Sequence, residues 1–215
     1  SPGERKEARR LRAQAERAED RCWSSFMERR DFLHRVRYLE EGAQGPDTFL
    51  AGARILRHIQ IAEILVTELV LSGELEQLDG PTLYGVLCAV SGDLPRGSSP
   101  RFSPTRKDRE LIGRIQRVVM SKPVAEAERL TNVPTTWAPE LVVLGRAWAE
   151  GDPLPDILDL ITSPTDISGT LISGFRRAKD LAGQLKAAYA DVPDRADVLH
   201  QLIRAVSRDE VEVVD

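Results

Sequence analysis

One segment, from Ile55 to Leu78, constrains the fold more than any other part of the chain. Its sequence, ILRHIQIAEILVTELVLSGELEQL, is apolar nearly all the way around a helix. A helix of that kind has to be covered on all sides by other elements, so we expect it at the centre of a helical bundle. Gly73 is the expected C-cap of this helix.

Segments with helical periodicity elsewhere in the chain supply that cover. GPTLYGVLCAVSG has a proline in its first turn, and RKDRELIGRIQRVVMSK has one apolar face until Pro123 ends the helix. APELVVLGRAWAEG, PLPDILDLI and RADVLHQLIRAVSRDEVEV complete the predicted set. The stretch DLPRGSSPRFSP, near residues 93–104, is expected to be an exposed loop. The predicted fold class is therefore mainly α, a helical bundle.

The first 57 residues differ in composition and are predicted to form two further parts. Residues 1–21 are mostly charged residues and alanine, so we expect a charged helical lead-in. A basic patch for nucleic acid is the alternative, although interleaved glutamates would weaken its attraction for phosphate. Residues 22–57 combine an apolar-periodic helix with the β-compatible DTFLAGARIL, which indicates a small winged-helix-like N-terminal portion. Residues 58–215 are the predicted bundle.

Composition limits the compartment and the partners. A net charge of −4 over 215 residues argues against bulk electrostatic binding of nucleic acid, so any such contact must be local. No apolar run approaches the roughly 20 residues that cross a bilayer, and we expect a cytoplasmic protein without membrane contact. We expect the thiols of Cys22 and Cys88 to pack as small apolar groups in a reducing compartment. The start without methionine suggests a piece of a longer chain.

Sequence signatures of catalysis and of metal binding are missing. The chain has no phosphate-binding loop and no GxGxxG, HExxH or GxSxG motif. His34, His58 and His200 lie far apart and lack partners at metal-ligand spacing, so we expect structural or surface positions for them. The residues alone therefore predict no catalytic and no metal site in this segment.

A helix predicted within SPTDISGTLISGFRRAKDLAGQL, residues 163–185, has an apolar face and a capped start. Thr165 or Asp166 can accept hydrogen bonds from the first free N–H groups of the helix. Seven residues gather on the face that we expect in the core: Ile167, Leu171, Phe175, Ala178, Ala182, Leu185 and Tyr189.

Beside that face runs a strip of short and polar side chains. Arg176 points away from the core, whereas Arg177 lies on the flank with Thr170, Ser173 and Gln184. An extended ligand can lie along such a strip, with the guanidinium stacked on a base or paired with a phosphate. A carboxylate from a neighbouring helix is the alternative partner of Arg177.

Three stretches together resemble a known module in their order and spacing. They occupy residues 49–90, 141–185 and 202–213, and include TELVLSGELEQL, WAEGDPLPDIL, SGTLISGFRRAKDL and SRDEV. From about Phe32 to the C-terminus the chain resembles DSHCT, the C-terminal helical-bundle domain of superkiller-like DExH-box RNA helicases, including the HelY-like members. In that family the domain packs against the ATPase core, and its helices line the path of the RNA strand.

The resemblance implies an accessory domain that guides single-stranded RNA, or DNA, past the RecA-like core of the same parent chain. That core would bind ATP and magnesium, and this segment would hold no cofactor and be non-catalytic alone. The family's glutamate in a Thr-Glu-Leu triplet falls on Glu68 and its basic residue on Arg177, which implies that both face bases. Thr170 and Ser173 of the polar strip complete the predicted nucleic-acid-binding set. Trp148 matches a tryptophan that we assign to packing.

The chain also departs from the family pattern. Ser168 stands where the family often has glutamate, and Ser173-Gly174 stands where a basic residue is common, which removes charge from the predicted RNA path. A non-enzymatic helical protein-interaction domain, docking on a helicase core or another partner, is the alternative function. The acidic charge balance and the charged N-terminal helix favour that alternative.

Overall fold

The structure, a computed structural model, describes residues 2–208 and 211 of the chain. Helices make up 65% of it, which is about twice the usual share in globular proteins. Within the described residues there are ten helices and two small two-stranded sheets, so the predicted mainly α fold is confirmed. Contacts divide the chain into two compact units, Ser1–Leu50 and Ala51–Asp215.

The unit of residues 1–50 is a long helix followed by a hairpin. Its elements are α1 (Pro2–Arg35), β1 (Leu39–Glu40) and β2 (Thr48–Phe49). The Arg30 guanidinium donates to both carboxylate oxygens of Asp47, at 2.7 and 2.8 Å, and His34 Nε2 lies 3.1 Å from the same carboxylate. These hydrogen bonds lower the pKa of Asp47, the one from Arg30 most. The cluster joins the last turns of α1 to the hairpin.

The N-terminal helix buries little along most of its length. It continues without a break through residue 21. A hairpin follows it, but the stretch DTFLAGARIL, which was expected to form a wing, contributes only the strand Thr48–Phe49, and its residues Ala51–Leu56 form a helix. The division into 1–21, 22–57 and 58–215 stays a prediction. Cys22 is exposed, so the expectation of a packed thiol is wrong at this position. The reason is that no described side chain from Glu7 to Asp31 is buried.

The described part of the unit of residues 51–215 contains nine helices and two strands of two residues each. Its elements are α2 (Ala51–Leu56), α3 (Glu63–Leu71), α4 (Gly80–Ser91), β3 (Ser99–Pro100), α5 (Arg106–Val119), α6 (Lys122–Thr131), α7 (Glu140–Glu150), α8 (Leu154–Leu158), β4 (Ile161–Thr162), α9 (Ser168–Ala188) and α10 (Pro193–Val206). β3 pairs antiparallel with β4, with Pro100 opposite Ile161, and this pairing fastens part of the predicted 93–104 loop.

The centre of this unit is α4, because every residue from Leu83 to Ser91 is buried. Its closest neighbour is α7. A Cβ at Gly85 would overlap the carbonyl oxygen of Val142, and a Cβ at Gly145 would lie 2.6 Å from the Cys88 sulfur. Two glycines on facing helices therefore let the α4 and α7 backbones approach closely.

The single central helix expected from Ile55 to its C-cap at Gly73 is wrong in two respects. The segment forms the short helices α2 and α3, separated by residues 57–62, and α4 takes the central position. Ala62 precedes α3 with φ +48° and ψ +46°, a left-handed conformation that interrupts the helix. Gly73, with φ +73°, follows the end of α3, where a helix-ending glycine was expected.

The long helix α9 packs its apolar face into the core as expected. All seven predicted face residues, from Ile167 to Tyr189, are buried. The Tyr84 hydroxyl on α4 donates to the Phe175 carbonyl oxygen at 2.7 Å, and the Trp148 ring lies 5.1 Å from the Phe175 ring between centroids. Trp148 is fully buried, which confirms its assignment to packing.

Candidate nucleic-acid interface

The sequence before α9 fixes where the helix begins. The Asp166 carboxylate accepts hydrogen bonds from the Ser168 N–H at 2.9 Å and the Ser168 hydroxyl at 2.6 Å. These bonds satisfy a free donor at the start of the helix and lower the pKa of Asp166. Of the two residues that were predicted to cap the helix, Asp166 makes these contacts, but it lies one residue before the N-cap, Ile167, which has no side-chain cap.

Three of the predicted site residues form an exposed strip on α9. Thr170, Ser173 and Arg177 follow one another at helical spacing, and all three side chains are exposed. Among the described residues, no hydrogen bond or ion pair engages the Arg177 guanidinium. The carboxylate that was considered as its partner is therefore not supplied by the described part of the chain.

Arg177 also lines a groove, which we call the Arg177 groove, with a volume of about 370 Å³. One wall is the segment 60–65 at the start of α3, and another is the face of α6 that carries Ala127 and Thr131. The loop 133–136 after α6 forms the remaining wall. The guanidinium thus stands between the exposed strip on α9 and a concave surface.

Glu68 lies on α3, the helix whose first turn lines the groove. It is half-buried and follows Ile64, a groove residue, by one helical turn. Glu68 itself does not line the groove, and it already interacts with another group. The structure thus brings Thr170, Ser173 and Arg177 together, while Glu68 stands further along the neighbouring wall.

The C-terminal part of the predicted polar strip has a structural contact. The Gln184 side-chain oxygen accepts a hydrogen bond from the Gln60 N–H at 2.7 Å. This bond ties α9 to the segment 57–62, so Gln184 contributes to shaping the groove wall. The open part of the strip therefore ends near Arg177.

Sequence reasoning missed the groove because its walls come from distant segments. The groove surfaces of α6 and of the loop 133–136 carry no recognisable motif. The Thr135 N–H donates to the Glu128 carboxylate at 2.6 Å, which holds the loop against α6. Hydrogen bonds from Thr135 lower the pKa of Glu128, so this groove carboxylate is ionised near neutral pH.

The histidines lie in structural or surface positions. His34 contacts Asp47, His58 Nε2 accepts a hydrogen bond from Arg57 Nε at 3.0 Å, and His200 lies 3.3 Å from the Lys186 ammonium. Among residues 2–208 and 211, no group of three potential metal ligands comes together. In the same residues, no helix has the length and apolar character that a bilayer crossing requires.

Most of the chain matches the model of one known protein family. Residues 47–213 match the DSHCT (NUC185) domain, so the match covers most of the chain and spans the described elements from β2 to α10. Asp209 and Glu210, within the SRDEV motif, lie outside the described residues. A comparison with curated protein sequences finds no significant match. The chain therefore belongs to the DSHCT family, the C-terminal domain of superkiller-like DExH helicases.

Proposed function

We propose that this domain guides single-stranded RNA past the ATPase core of its parent helicase, in the cytoplasm. The observation that carries the proposal is the exposed strip of Thr170 and Ser173 that ends at Arg177, whose guanidinium has no partner among the described residues. A guanidinium in that state can stack on a base or bind a phosphate without first breaking an ion pair.

The proposal gives each predicted site residue a role. Arg177 binds the strand, and the hydroxyls of Thr170 and Ser173 offer hydrogen bonds to its backbone. Glu68 accepts hydrogen bonds from base edges further along the path. ATP and magnesium bind to the RecA-like core of the parent chain, and this domain binds neither alone.

The test is a fluorescence-anisotropy titration with labelled single-stranded RNA at low and at physiological salt. We expect weak binding that falls with salt, and a loss of about tenfold in Arg177→Ala. Arg176→Ala is the matched control, because it removes the same charge from the neighbouring exposed position. Equal losses in the two variants, or none in either, would contradict the role of Arg177. A parallel titration with single-stranded DNA tests the choice of nucleic acid.

A second candidate function is docking on the helicase core or another protein. The observation that favours it is an exposed aromatic pair on α1, Trp23 and Phe26, whose rings stack 5.7 Å apart. Large exposed apolar side chains that lie together are typical of protein interfaces. Calorimetric titration of the chain with the ATPase core tests it, and Trp23→Ala with Phe26→Ala should abolish the heat of binding.

A further inference from the structure

We propose that the Arg177 groove holds one unstacked nucleobase of the strand that runs along α9. The inference rests on the proposed function and adds to it a base pocket formed by α3, α6 and the loop 133–136. Its occupant is a single base whose phosphate lies at Arg177.

The groove has the dimensions and walls of a small-ligand pocket. Its volume of about 370 Å³ is at the lower end of the range of such pockets. Ile61, Ile64, Val124, Val133 and Pro134 supply apolar surface for the two faces of a base. No aromatic side chain lines the groove within the described residues. A base that enters it therefore loses stacking on its neighbours in the strand and gains no aromatic stacking in the groove.

The charges around the groove fit a nucleotide inserted base first. Arg177 provides the cation for the phosphate at the edge of the strip on α9. Glu63 and Glu128, which also line the groove, provide carboxylate acceptors, and one oxygen of Glu128 already accepts from the Thr135 N–H. Carboxylates accept hydrogen bonds and cannot donate them when ionised, so they favour bases with an exocyclic amino group.

This chemistry predicts a preference between two bases of equal size. Cytosine has an amino group at the position where uracil has a carbonyl oxygen. A strand with cytidine at the bound position should therefore bind several-fold more tightly than the same strand with uridine. Glu63→Gln should reduce this preference, because an amide can donate as well as accept.

The first readout is the emission of 2-aminopurine placed in a single-stranded RNA. Its fluorescence is quenched by stacking, so insertion into a groove without aromatic walls should raise the emission. We expect this rise with the full chain and its loss in Ala127→Phe, which fills the groove from α6. Ala125→Phe is the matched control, since Ala125 is exposed on the same helix and does not line the groove.

Circular dichroism shows whether each variant folds, and Ala127→Leu replaces Ala127→Phe if the larger side chain prevents folding. Binding that depends on Arg177 but shows no rise in emission and no cytidine preference overturns the base pocket and leaves the proposed function standing. No binding of RNA by the unchanged chain overturns both. Loss of core docking in Ala127→Phe with RNA binding intact would identify the groove as a protein interface and also overturn the base pocket.

Discussion

At the scale of single residues, Asp108 is a buried carboxyl whose pKa is strongly lowered by its partners. It is buried, forms a capping box with Thr105 at the start of α5, and accepts a hydrogen bond from Arg146 of α7 at 2.6 Å. The Arg146 bond contributes most to lowering the pKa of Asp108 to about 2. A carboxyl whose pKa falls on folding stabilises the fold above its unfolded pKa, and the contribution disappears as pH falls through the folded pKa.

Asp108→Asn should therefore lower the free energy of unfolding by about 2 kcal/mol at pH 7. The difference from the unchanged chain should shrink between pH 4 and pH 2, where Asp108 itself becomes protonated. Urea unfolding at several pH values measures this. Glu110→Gln, in the exposed pair with Arg106, is the control and should have little effect at any pH. A pH-independent loss in Asp108→Asn would contradict the electrostatic explanation.

Residue-level prediction from the sequence succeeded where one periodicity governs a long element. The 3.6-residue period correctly predicted seven residues of the buried face of α9, although Ile172 and Leu181, which lie outside that set, are buried as well. The groove could not be predicted in this way. Arg177 and Thr131 come to line the same groove only after α6, the loop 133–136 and α9 have packed. No local sequence pattern predicts that arrangement.

At the scale of elements, the pair of α4 and α7 depends on two glycines. Gly85→Ala should unfold the chain or cost several kcal/mol, because its Cβ would overlap the rigid backbone carbonyl of Val142. Gly113→Ala is the control, since no atom lies near its Cβ position on α5, and it should be neutral or stabilise by about 1 kcal/mol. Thermal unfolding followed by circular dichroism distinguishes the two. Similar midpoints for both variants would show that α4 and α7 can move apart at little cost.

The break between α2 and α3 shows where element prediction fails. Alanine is the strongest helix former, yet Ala62 adopts a left-handed conformation. The Gln60 N–H, which a continuous helix would use internally, is bonded to Gln184, 124 residues away. Tertiary contact overrides local propensity here, and the local sequence carries no sign of it.

At the scale of the whole molecule, the two compact units predict independent folding of the larger one. A chain of residues 51–215 retains every helix from α2 to α10 and the core between them. We expect its thermal midpoint to lie within a few degrees of that of the full chain. Circular dichroism and amide spectra of both chains measure this. A midpoint lowered by more than about 5 °C, equivalent to roughly 1 kcal/mol or more, would mean that residues 1–50 stabilise the bundle.

The close approach of α4 and α7 buries a cysteine whose reactivity reports how often these two helices separate. Cys88 lies against Gly145 and is fully buried, and burial raises the pKa of its thiol well above the ordinary value. A thiol reagent can reach it only when those helices separate, whereas Cys22 is already exposed in the folded chain. With Cys22 replaced by serine, the rate of alkylation of Cys88 would measure how often the centre of the domain opens, without any added probe.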